Sequence, residues 1–453
     1  MATPTATVVI VNYNGAHLLP SCLDALHAQK AGAPSFDTVV VDNASVDESR
    51  ELLAVKYPWV RVIASDTNTG FAGGNNLALR GVRTPFAVLL NNDATPEPGW
   101  LAHLLAPFAE EGGDGLAVVS GKIVFMPRFV RLSFACEGFQ PGPHDTRDLG
   151  VRIYRVAVDS IDVTAKVLWE SAAYGPEGTG EAQFRWTRPS GQVLVPVPRG
   201  YGDASLLGES LHITVSVAAE KPTALCLDEI TATVGPDRGN VEVEFGAGTP
   251  VLDVVNNAGG VVFSDGSGAD RGFQQVDSGQ FDESVEVFNA CGNGMAIRTE
   301  VGEQVGWFDD DFFMYYEDAD LSWRIRSCGW AIRYQPDAVL RHIHAASSTE
   351  WSPRWIFHVE RNRLLMLTKD ASTGLALRAV LRYPLTTLSM ALRAAVEAAR
   401  VRRRPAVGPH VLRVRIFASY LRLLPRMLVR RARIARQATV SRPDLEKWLV
   451  GRP

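Results

Sequence analysis

The first part of the chain alternates between short apolar runs and segments whose apolar residues recur at helical spacing. Four β-branched or apolar runs predict buried strands, at 7–11, 38–41, 60–64 and 86–90. Leucines and a cysteine within 18–26 recur every three or four positions and predict a helix, and 73–81 predicts another. Strands that alternate with helices are typical of a parallel α/β sheet.

The pattern changes after Lys122. Between about 129 and 250 the helical spacing disappears, and alternating runs separated by Gly and Pro predict an antiparallel β-sandwich. An α/β pattern returns at 291–298 and 308–330, so we expect the sandwich to interrupt one α/β domain. The predicted parts are 1–128 and 251–370 as the two halves of that domain, 129–250 as the insertion, and 371–453 as a helical C-terminal region broken at Pro384, Pro405, Pro409 and Pro425.

Composition places the chain among globular proteins, since 46% of residues are hydrophobic and 21% are charged. The net charge of −4 conceals an asymmetry: 371–453 carries 18 Lys and Arg against 3 Asp and Glu, whereas 1–370 carries 28 against 47. A basic tail predicts an anionic partner such as a membrane surface. The apolar stretch 375–399 is interrupted by three arginines and a glutamate, so we expect it to lie on a bilayer rather than span it.

The five cysteines are scattered, without a Cys-x-x-Cys pair, and predict neither a disulfide framework nor a zinc site. The N-terminal residues lack the pattern of a secretory signal and run directly into the first predicted strand. Both observations predict a cytoplasmic protein, and the basic tail predicts that it is peripheral on the inner face of the cell membrane.

Polar clusters follow the predicted strands, at the edge where open α/β sheets bind ligands. They are Asn12-Tyr13-Asn14, Asp42-Asn43-Ala44-Ser45, 68–76 and Asn91-Asn92-Asp93. Further along the chain come Glu317-Asp318, His342 and His344. In order and approximate spacing, these motifs resemble those of family-two glycosyltransferases with a GT-A fold, in particular the rhamnosyltransferase-like branch. The resemblance covers about 7–124 and 256–370 and leaves the predicted sandwich out.

The resemblance implies an inverting, metal-dependent enzyme that transfers a sugar from a nucleoside diphosphate to a glycan or polyprenyl-linked acceptor in cell-surface polysaccharide synthesis. Rhamnose is the sugar it implies, with galactofuranose as an alternative. The Gln-x-x-Arg-Trp motif of processive members is absent, which favours the addition of one or a few sugars. Nucleic acid is not an expected partner.

The donor would be held by eight residues: Asn12, Asn14, Asp42, Asn68, Gly70, Gly73, Asn75 and Asn92. Asp42 can accept from a base imide or a ribose hydroxyl, although it can equally form a turn or cap the following helix. The glycines of 68–76 allow the backbone to approach a nucleotide closely.

Asn91-Asn92-Asp93 resembles the family's Asp-x-Asp motif with Asn in place of the first Asp. The resemblance implies that Asp93 and a histidine hold Mg²⁺ or Mn²⁺ at the diphosphate. His342 is the favoured histidine, and His344 is the alternative because it lies on the same face of a predicted strand. The competing interpretation of Asp93 is a loop carboxylate.

The stretch 308–318 matches the segment that precedes the family's catalytic acidic pair. Asp318 is the expected general base, and Glu317 would orient the acceptor or the start of the helix. The alternative is that Glu317, Asp318 and Asp320 only enrich the first turn of a helix, which the helix dipole favours.

Other residues leave the interpretation open. Arg361 or Arg363 would contact the diphosphate or belong to a solvated helix face. Trp307 and Trp323 would stack on a sugar or pack in the core, with core packing the default.

A sugar-nucleotide pyrophosphorylase is a further candidate function, but it lacks support because the glycine-rich loop of such enzymes is missing after Val11. A non-catalytic glycan-binding scaffold is the remaining alternative, and a carbohydrate-recognition, spacer or dimerisation role is open for the sandwich.

Overall fold

The computed structural model describes residues 5–143, 145–198, 205–344, 351–400 and 407–452. The chain folds into two compact units. Unit 1 comprises Met1–Val124, Asn256–Phe273 and Gly279–Pro453, and unit 2 comprises Phe125–Val255 and Gln274–Ser278.

A mixed sheet forms the centre of unit 1. The strands before the chain enters unit 2 are β1 (Ala6–Asn12), β2 (Phe36–Asn43), β3 (Arg61–Ser65), β4 (Phe86–Leu89), β5 (Ala94–Pro96) and β6 (Leu116–Phe125). The helices among them are α1 (Leu19–Ala28), α2 (Ser49–Lys56), α3 (Gly70–Leu79) and α4 (Trp100–Leu105). The four predicted strands and both predicted helices are therefore present, with ends displaced by at most three residues.

Unit 2 contains the next ten strands. They are β7 (Phe129–Cys136), β8 (Arg152–Val158), β9 (Ile161–Asp162), β10 (Ala173–Glu177), β11 (Phe184–Thr187), β12 (Ser190–Pro196), β13 (Leu211–Ala218), β14 (Thr223–Leu227), β15 (Ile230–Val234) and β16 (Gly239–Phe245). They form two antiparallel sheets, in the orders β10-β11-β8-β13-β16 and β12-β7-β14-β15, with β9 paired to β8. A single hydrophobic cluster, which includes Val130, Val156, Val195 and Val215, takes side chains from both sheets.

The chain re-enters unit 1 through β17 (Val255–Asn257). The strands that follow are β18 (Gly260–Val262), β19 (Gly268–Asp270), β20 (Val285–Glu286), β21 (Met295–Arg298) and β22 (Ala331–His342). The remaining helices are α5 (Thr299–Val305), α6 (Glu317–Ser327), α7 (Pro353–Asp370), α8 (Thr373–Arg400), α9 (Gly408–Gln437) and α10 (Arg442–Leu445).

The order of the central sheet is β20-β22-β6-β21-β4-β1-β2-β3. Strands β4, β1, β2 and β3 are parallel, whereas β21 runs antiparallel to both β4 and β6. The β-branched runs are buried on both faces, as strands beneath covering helices require. This arrangement confirms the expected α/β fold.

The C-terminal region is helical, as expected, but two of the predicted breaks are wrong. Pro384 lies inside α8 and Pro425 inside α9. Both prolines are exposed, so the carbonyl groups that lose a helical donor can be hydrated, while buried neighbours such as Tyr383, Leu423 and Met427 hold the helices in place. Pro409 lies in the first turn of α9, and Pro405 lies outside the described residues.

Candidate active site

A cavity of about 490 Å³ opens at the carboxyl ends of β1, β2 and β4. Its lining combines amides with aromatic rings: Asn14, Asn43, Asn68, Asn91 and Asn92, with Tyr13, Phe71, Phe313, Tyr315 and Trp355. Asp93 and Gly70 complete the part of the lining that the sequence predicted. Amides beside aromatic faces suit a ligand with planar rings and many hydrogen-bonding groups.

Hydrogen bonds between neighbouring strand ends fix the amides of this cavity. Asn12 Nδ2 donates to Ser45 Oγ at 3.2 Å, and Asn12 Oδ1 accepts from Asn92 Nδ2 at 2.8 Å. Asn14 has φ of 51° and accepts from Val46 N at 2.8 Å. Asn12 therefore supports the lining from behind rather than facing the cavity.

Asn43, which the sequence analysis did not single out, holds the glycine-containing loop. Its Oδ1 accepts from Thr69 N at 2.9 Å, and its Nδ2 donates to Gly70 O at 3.0 Å. Gly70 has φ of +73°, and a Cβ atom there would lie 2.3 Å from Phe313 O, so only glycine fits. The glycine-containing loop therefore packs closely against the segment that precedes Glu317.

Asp42 is fully buried at the end of β2. Its Oδ2 accepts from Arg50 Nε at 2.5 Å, while its Oδ1 has no hydrogen-bond partner among the described residues. A buried carboxylate oxygen without a partner is costly and is complementary to a donor group of a ligand. Asp42 itself does not line the cavity described above.

Asp93 and His342 meet at the edge of the cavity, with 3.2 Å between Asp93 Oδ1 and His342 Nε2. Asn256 orients the imidazole: its Nδ2 contacts His344 Nδ1 at 3.1 Å, and its Oδ1 contacts His342 Nδ1 at 3.2 Å. Because an amide oxygen can only accept, His342 Nδ1 donates to Asn256, and Nε2 is the ring nitrogen that faces Asp93.

This pair fits a divalent cation. Asp93 is buried, and its Oδ1 has no hydrogen-bond partner among the described residues. Carboxylate oxygen and imidazole nitrogen are ligands for Mn²⁺, and the carboxylate also suits Mg²⁺. No group of three or more His, Cys, Asp or Glu side chains converges on one point within the described residues. The protein would thus supply two ligands and leave positions for ligand oxygens.

The loop before α6 has an unusual backbone. Phe313, Tyr315 and Tyr316 all have φ near +67°, a region that costs bulky residues about 1–2 kcal/mol each. Asn362 of α7 holds this loop by donating to the carbonyl groups of Phe312, Met314 and Tyr315 at 2.7–2.9 Å. The constrained loop fixes where Glu317 and Asp318 begin α6.

Asp318 accepts hydrogen bonds from Gly292 N at 3.1 Å and Ala319 N at 2.7 Å. Burial raises the pKa of Asp318 to about 6, and the two backbone N–H groups oppose that shift. Burial, followed by the charge of Asp318, raises the pKa of Glu317 well above its ordinary value. Neither side chain lines the cavity. Gly292 packs against both Asp318 and the ring of Phe71, and Phe71 does line the cavity.

Asp320, two residues further along α6, has the opposite environment. It is fully buried and forms ion pairs with Lys369 and, at 2.8 Å, with Arg324. Burial acts to raise the pKa of Asp320, but these two cations outweigh it and lower the pKa to about 2. Lys369 also binds Asp309 at 2.6 Å, which in turn binds Arg430 of α9 at 2.5 Å. The acidic stretch 309–320 thus divides into a structural ion network and a separate pair, Glu317 and Asp318.

Arg354 is a cavity residue that the sequence analysis missed. Ser352 caps α7 by accepting from Trp355 N at 3.2 Å, and Arg354 lies in the first turn with its guanidinium 5.5 Å from the ring centre of Phe313. A cation is disfavoured at a helix N-terminus, so its unfavourable position is the sequence feature that could have marked Arg354 as a functional residue. The helix N-terminus and Arg354 both lie on the cavity wall, where their positive charge is complementary to an anionic group.

Other candidates lie outside the cavity. Gly73 packs on Thr69, and the buried Asn75 donates to Phe71 O within α3 at 2.9 Å. Arg361 donates to the carbonyl groups of Asp311 and Phe312, and Arg363 donates to Asp265 O. Trp307 and Trp323 are buried.

Comparisons with known proteins match the first part of the chain. Residues 7–149 match the family model described as glycosyl transferase family 2. Over 102 residues, 22% of this chain and 32% of the relative, the chain is 36% identical to an N-acetylglucosaminyl-diphospho-decaprenol L-rhamnosyltransferase of Mycobacterium tuberculosis. Over 122 residues, 26% of this chain and 34% of the relative, it is 32% identical to the succinoglycan biosynthesis protein ExoO of Rhizobium meliloti. The matched segment spans about a third of each relative.

Among solved structures, a mannosyltransferase of Pyrobaculum calidifontis in complex with GDP-Man and Mn²⁺ aligns with 94% of this chain and 88% of its own chain. The TM-score is 0.39 and the identity is 14%.

Proposed function

We infer that this chain, which carries a family-2 glycosyltransferase domain, transfers a sugar from a nucleoside diphosphate to a glycan or lipid-linked acceptor in cell-surface polysaccharide synthesis. The observation that carries the inference is the pair formed by Asp93 Oδ1 and His342 Nε2, 3.2 Å apart beside a cavity lined with amides and aromatic rings. The sugar that we propose is rhamnose, because a rhamnosyltransferase with a lipid-diphosphate acceptor in its name is among the relatives.

The donor nucleotide occupies the cavity in this proposal. Asn14, Asn68 and Asn92 offer hydrogen bonds to the base and ribose. Arg354 and the N-terminus of α7 bind the diphosphate. Arg361 and Arg363 have carbonyl partners elsewhere, which favours Arg354 for this role.

Asp93 and His342 would hold Mn²⁺ or Mg²⁺. When bound, the cation supplies positive charge that stabilises the departing nucleoside diphosphate. Asn256 keeps the lone pair of His342 Nε2 directed at the cation position by accepting from Nδ1.

Asp318 is the general base. Its raised pKa, about 6, leaves the carboxylate ionised at neutral pH yet basic enough to accept a proton from a hydroxyl. The acceptor oxygen then bonds to the anomeric carbon while the nucleoside diphosphate leaves from the opposite face, which inverts the configuration. Glu317 orients the acceptor beside it.

In this proposal the C-terminal region binds an anionic membrane surface. Six apolar residues on one face of α8 are 54–66% exposed: Leu377, Leu381, Leu385, Leu388, Leu392 and Val396. Their spacing of three or four residues makes a single stripe, and Arg378, Arg382 and Arg393 accompany it. Such a helix lies in the interface of an anionic bilayer. Within the described residues, no helix is long and apolar enough to cross a membrane.

A donor screen tests the proposal. The full chain is incubated with dTDP-, UDP- and GDP-sugars, with a lipid extract as acceptor, in Mn²⁺, Mg²⁺ or EDTA, and the released nucleoside diphosphate is measured. We expect release from one donor, dTDP- or UDP-rhamnose first among them, and loss of release in EDTA. Binding of glycan without release from any donor would favour a non-catalytic scaffold instead.

We also propose that unit 2 is the β-sandwich that the sequence predicts as an insertion in the α/β domain.

A further inference from the structure

Unit 2 contains a cavity of about 950 Å³ beside strands β8, β10 and β11. It lies entirely within unit 2. Its lining is rich in aromatic rings and cations: Tyr154, Trp169 and Phe184, with Arg155, Lys166, Arg185 and Arg238. Aromatic faces combined with a few fixed polar groups are typical of ligand sites.

The aromatic part of the lining is partly open to solvent. The rings of Tyr154 and Phe184, on neighbouring strands, have centroids 5.6 Å apart, and both residues are only half-buried. Arg238 packs over the ring of Tyr154 at 4.9 Å. Half-exposed rings offer flat apolar surfaces to the C–H faces of a sugar, while the neighbouring polar groups can bind its hydroxyls.

The cations of the cavity exceed its carboxylates. Arg155 is paired with Asp162 at 3.0 Å, but Lys166, Arg185 and Arg238 have no carboxylate partner among the described residues. Arg185 donates to Tyr174 O at 3.0 Å and packs over Trp169. Burial lowers the pKa of Arg185, since its charge is desolvated without a counterion. An anionic group of a ligand would supply that counterion.

The excess of positive charge at the cavity contrasts with the net negative charge of unit 2 as a whole. Residues 125–255 carry eleven Lys and Arg against seventeen Asp and Glu. Four cations against two carboxylates, Asp162 and Glu181, at one cavity of an acidic unit are therefore a local excess, which favours an anionic ligand over a neutral one.

We propose that the cavity of unit 2 binds an anionic oligosaccharide, with sugar rings against Tyr154 and Phe184 and a carboxylate or phosphate group at Arg185 and Lys166. The site is separate from the donor cavity of unit 1. Its use in recognising an acceptor glycan rests on the proposed function, whereas the binding itself does not.

Calorimetric titration of the full chain with tetragalacturonate tests the proposal, with maltotetraose as the neutral control and inorganic phosphate as the anion alone. We expect tetragalacturonate to bind at least tenfold more tightly than either control. Arg185→Gln and Tyr154→Leu should each weaken binding about tenfold, whereas Arg185→Lys should retain part of it. Lys221→Gln, an exposed lysine outside the cavity, is the matched control and should bind as wild type.

Nucleoside diphosphate release is measured separately on the wild type, so failure of the donor screen and failure of this site are separate results. Absence of tetragalacturonate binding would overturn the proposal. Equal binding by wild type and both cavity variants, or equal affinity for maltotetraose or phosphate, would overturn it as well.

Discussion

His342 Nε2 lies 3.2 Å from Asp93 Oδ1 because strand β22 pairs with β5 in a register that sets His342 opposite Ala94. Ile343 N also donates to Asp93 O at 3.0 Å, which fixes the turn that carries the carboxylate. The two side chains are therefore held together by backbone pairing, before any ligand binds.

Removal of the imidazole should weaken metal binding. His342→Ala leaves Asp93 as a single protein ligand, so we expect the Mn²⁺ concentration for half-saturation, measured by EPR in the presence of nucleoside diphosphate, to rise about 10–100-fold. His212→Gln, an exposed histidine of unit 2, is the control and should not change it. Unaltered Mn²⁺ binding by His342→Ala would remove this residue from the metal site.

Arg354→Gln should weaken the binding of a nucleoside diphosphate without affecting that of the nucleoside. The guanidinium on the cavity wall provides charge for the phosphates but not for the base, so we expect the Kd for UDP or dTDP to rise about tenfold. Titration of nucleoside and nucleoside diphosphate against wild type, Arg354→Gln and the exposed Arg378→Gln on α8 makes the comparison. An equal loss for nucleoside and nucleoside diphosphate would contradict the role.

Lys369→Met should destabilise unit 1. Lys369 is 1% exposed and binds both Asp309 and Asp320, so its removal leaves two buried carboxylates with one cation fewer. We expect the free energy of unfolding to fall by about 3–5 kcal/mol. Urea denaturation measures this change. Lys447→Met, at an exposed ion pair with Asp444, is the matched control and should unfold as wild type. If both variants unfold alike, the buried network does not stabilise the fold.

The stripe on α8 should carry the protein to anionic bilayers. We expect the full chain to float with vesicles of phosphatidylglycerol at low salt and to float less with phosphatidylcholine. Leu381→Gln combined with Leu385→Gln should abolish flotation, whereas Val55→Gln with Val62→Gln, two exposed valines elsewhere in unit 1, should not. Flotation that is insensitive to the α8 changes would place the membrane contact elsewhere.

Sequence patterns predicted strands β1 and β2 well, because β-branched runs buried on both faces leave a strong signal. They failed at Pro384 and Pro425, since helix breaking by proline depends on whether packing holds the flanking turns, which a local pattern does not contain.

Part of the candidate site was beyond prediction for a related reason. Asn43 and Asn362 support loops far away in sequence, through hydrogen bonds that only the folded chain creates. Arg354 gave one local sign, a cation in the first turn of a helix, but its place on the cavity wall depends on the packing of α7. Asp93 and His342 were named from a resemblance, and their separation is set by strand pairing.

Asp318 is the general base in the proposed function. Burial raises the pKa of Asp318 to about 6, so its carboxylate is ionised at pH 8 and protonated at pH 5. Because a base must be ionised to accept a proton, the rate should fall as the pH drops through 6. The same shift means that the ionised carboxylate is disfavoured in the folded state above pH 6, so Asp318→Asn should not lower stability at pH 8.

The most direct test of the account is the release of nucleoside diphosphate by wild type and Asp318→Asn, measured between pH 5 and 8 with the donor that the screen identifies. We predict that the wild-type rate falls about tenfold per pH unit below 6, and that Asp318→Asn binds the nucleoside diphosphate as wild type does but releases none from the donor at any pH. Turnover by Asp318→Asn at the wild-type rate would contradict the account.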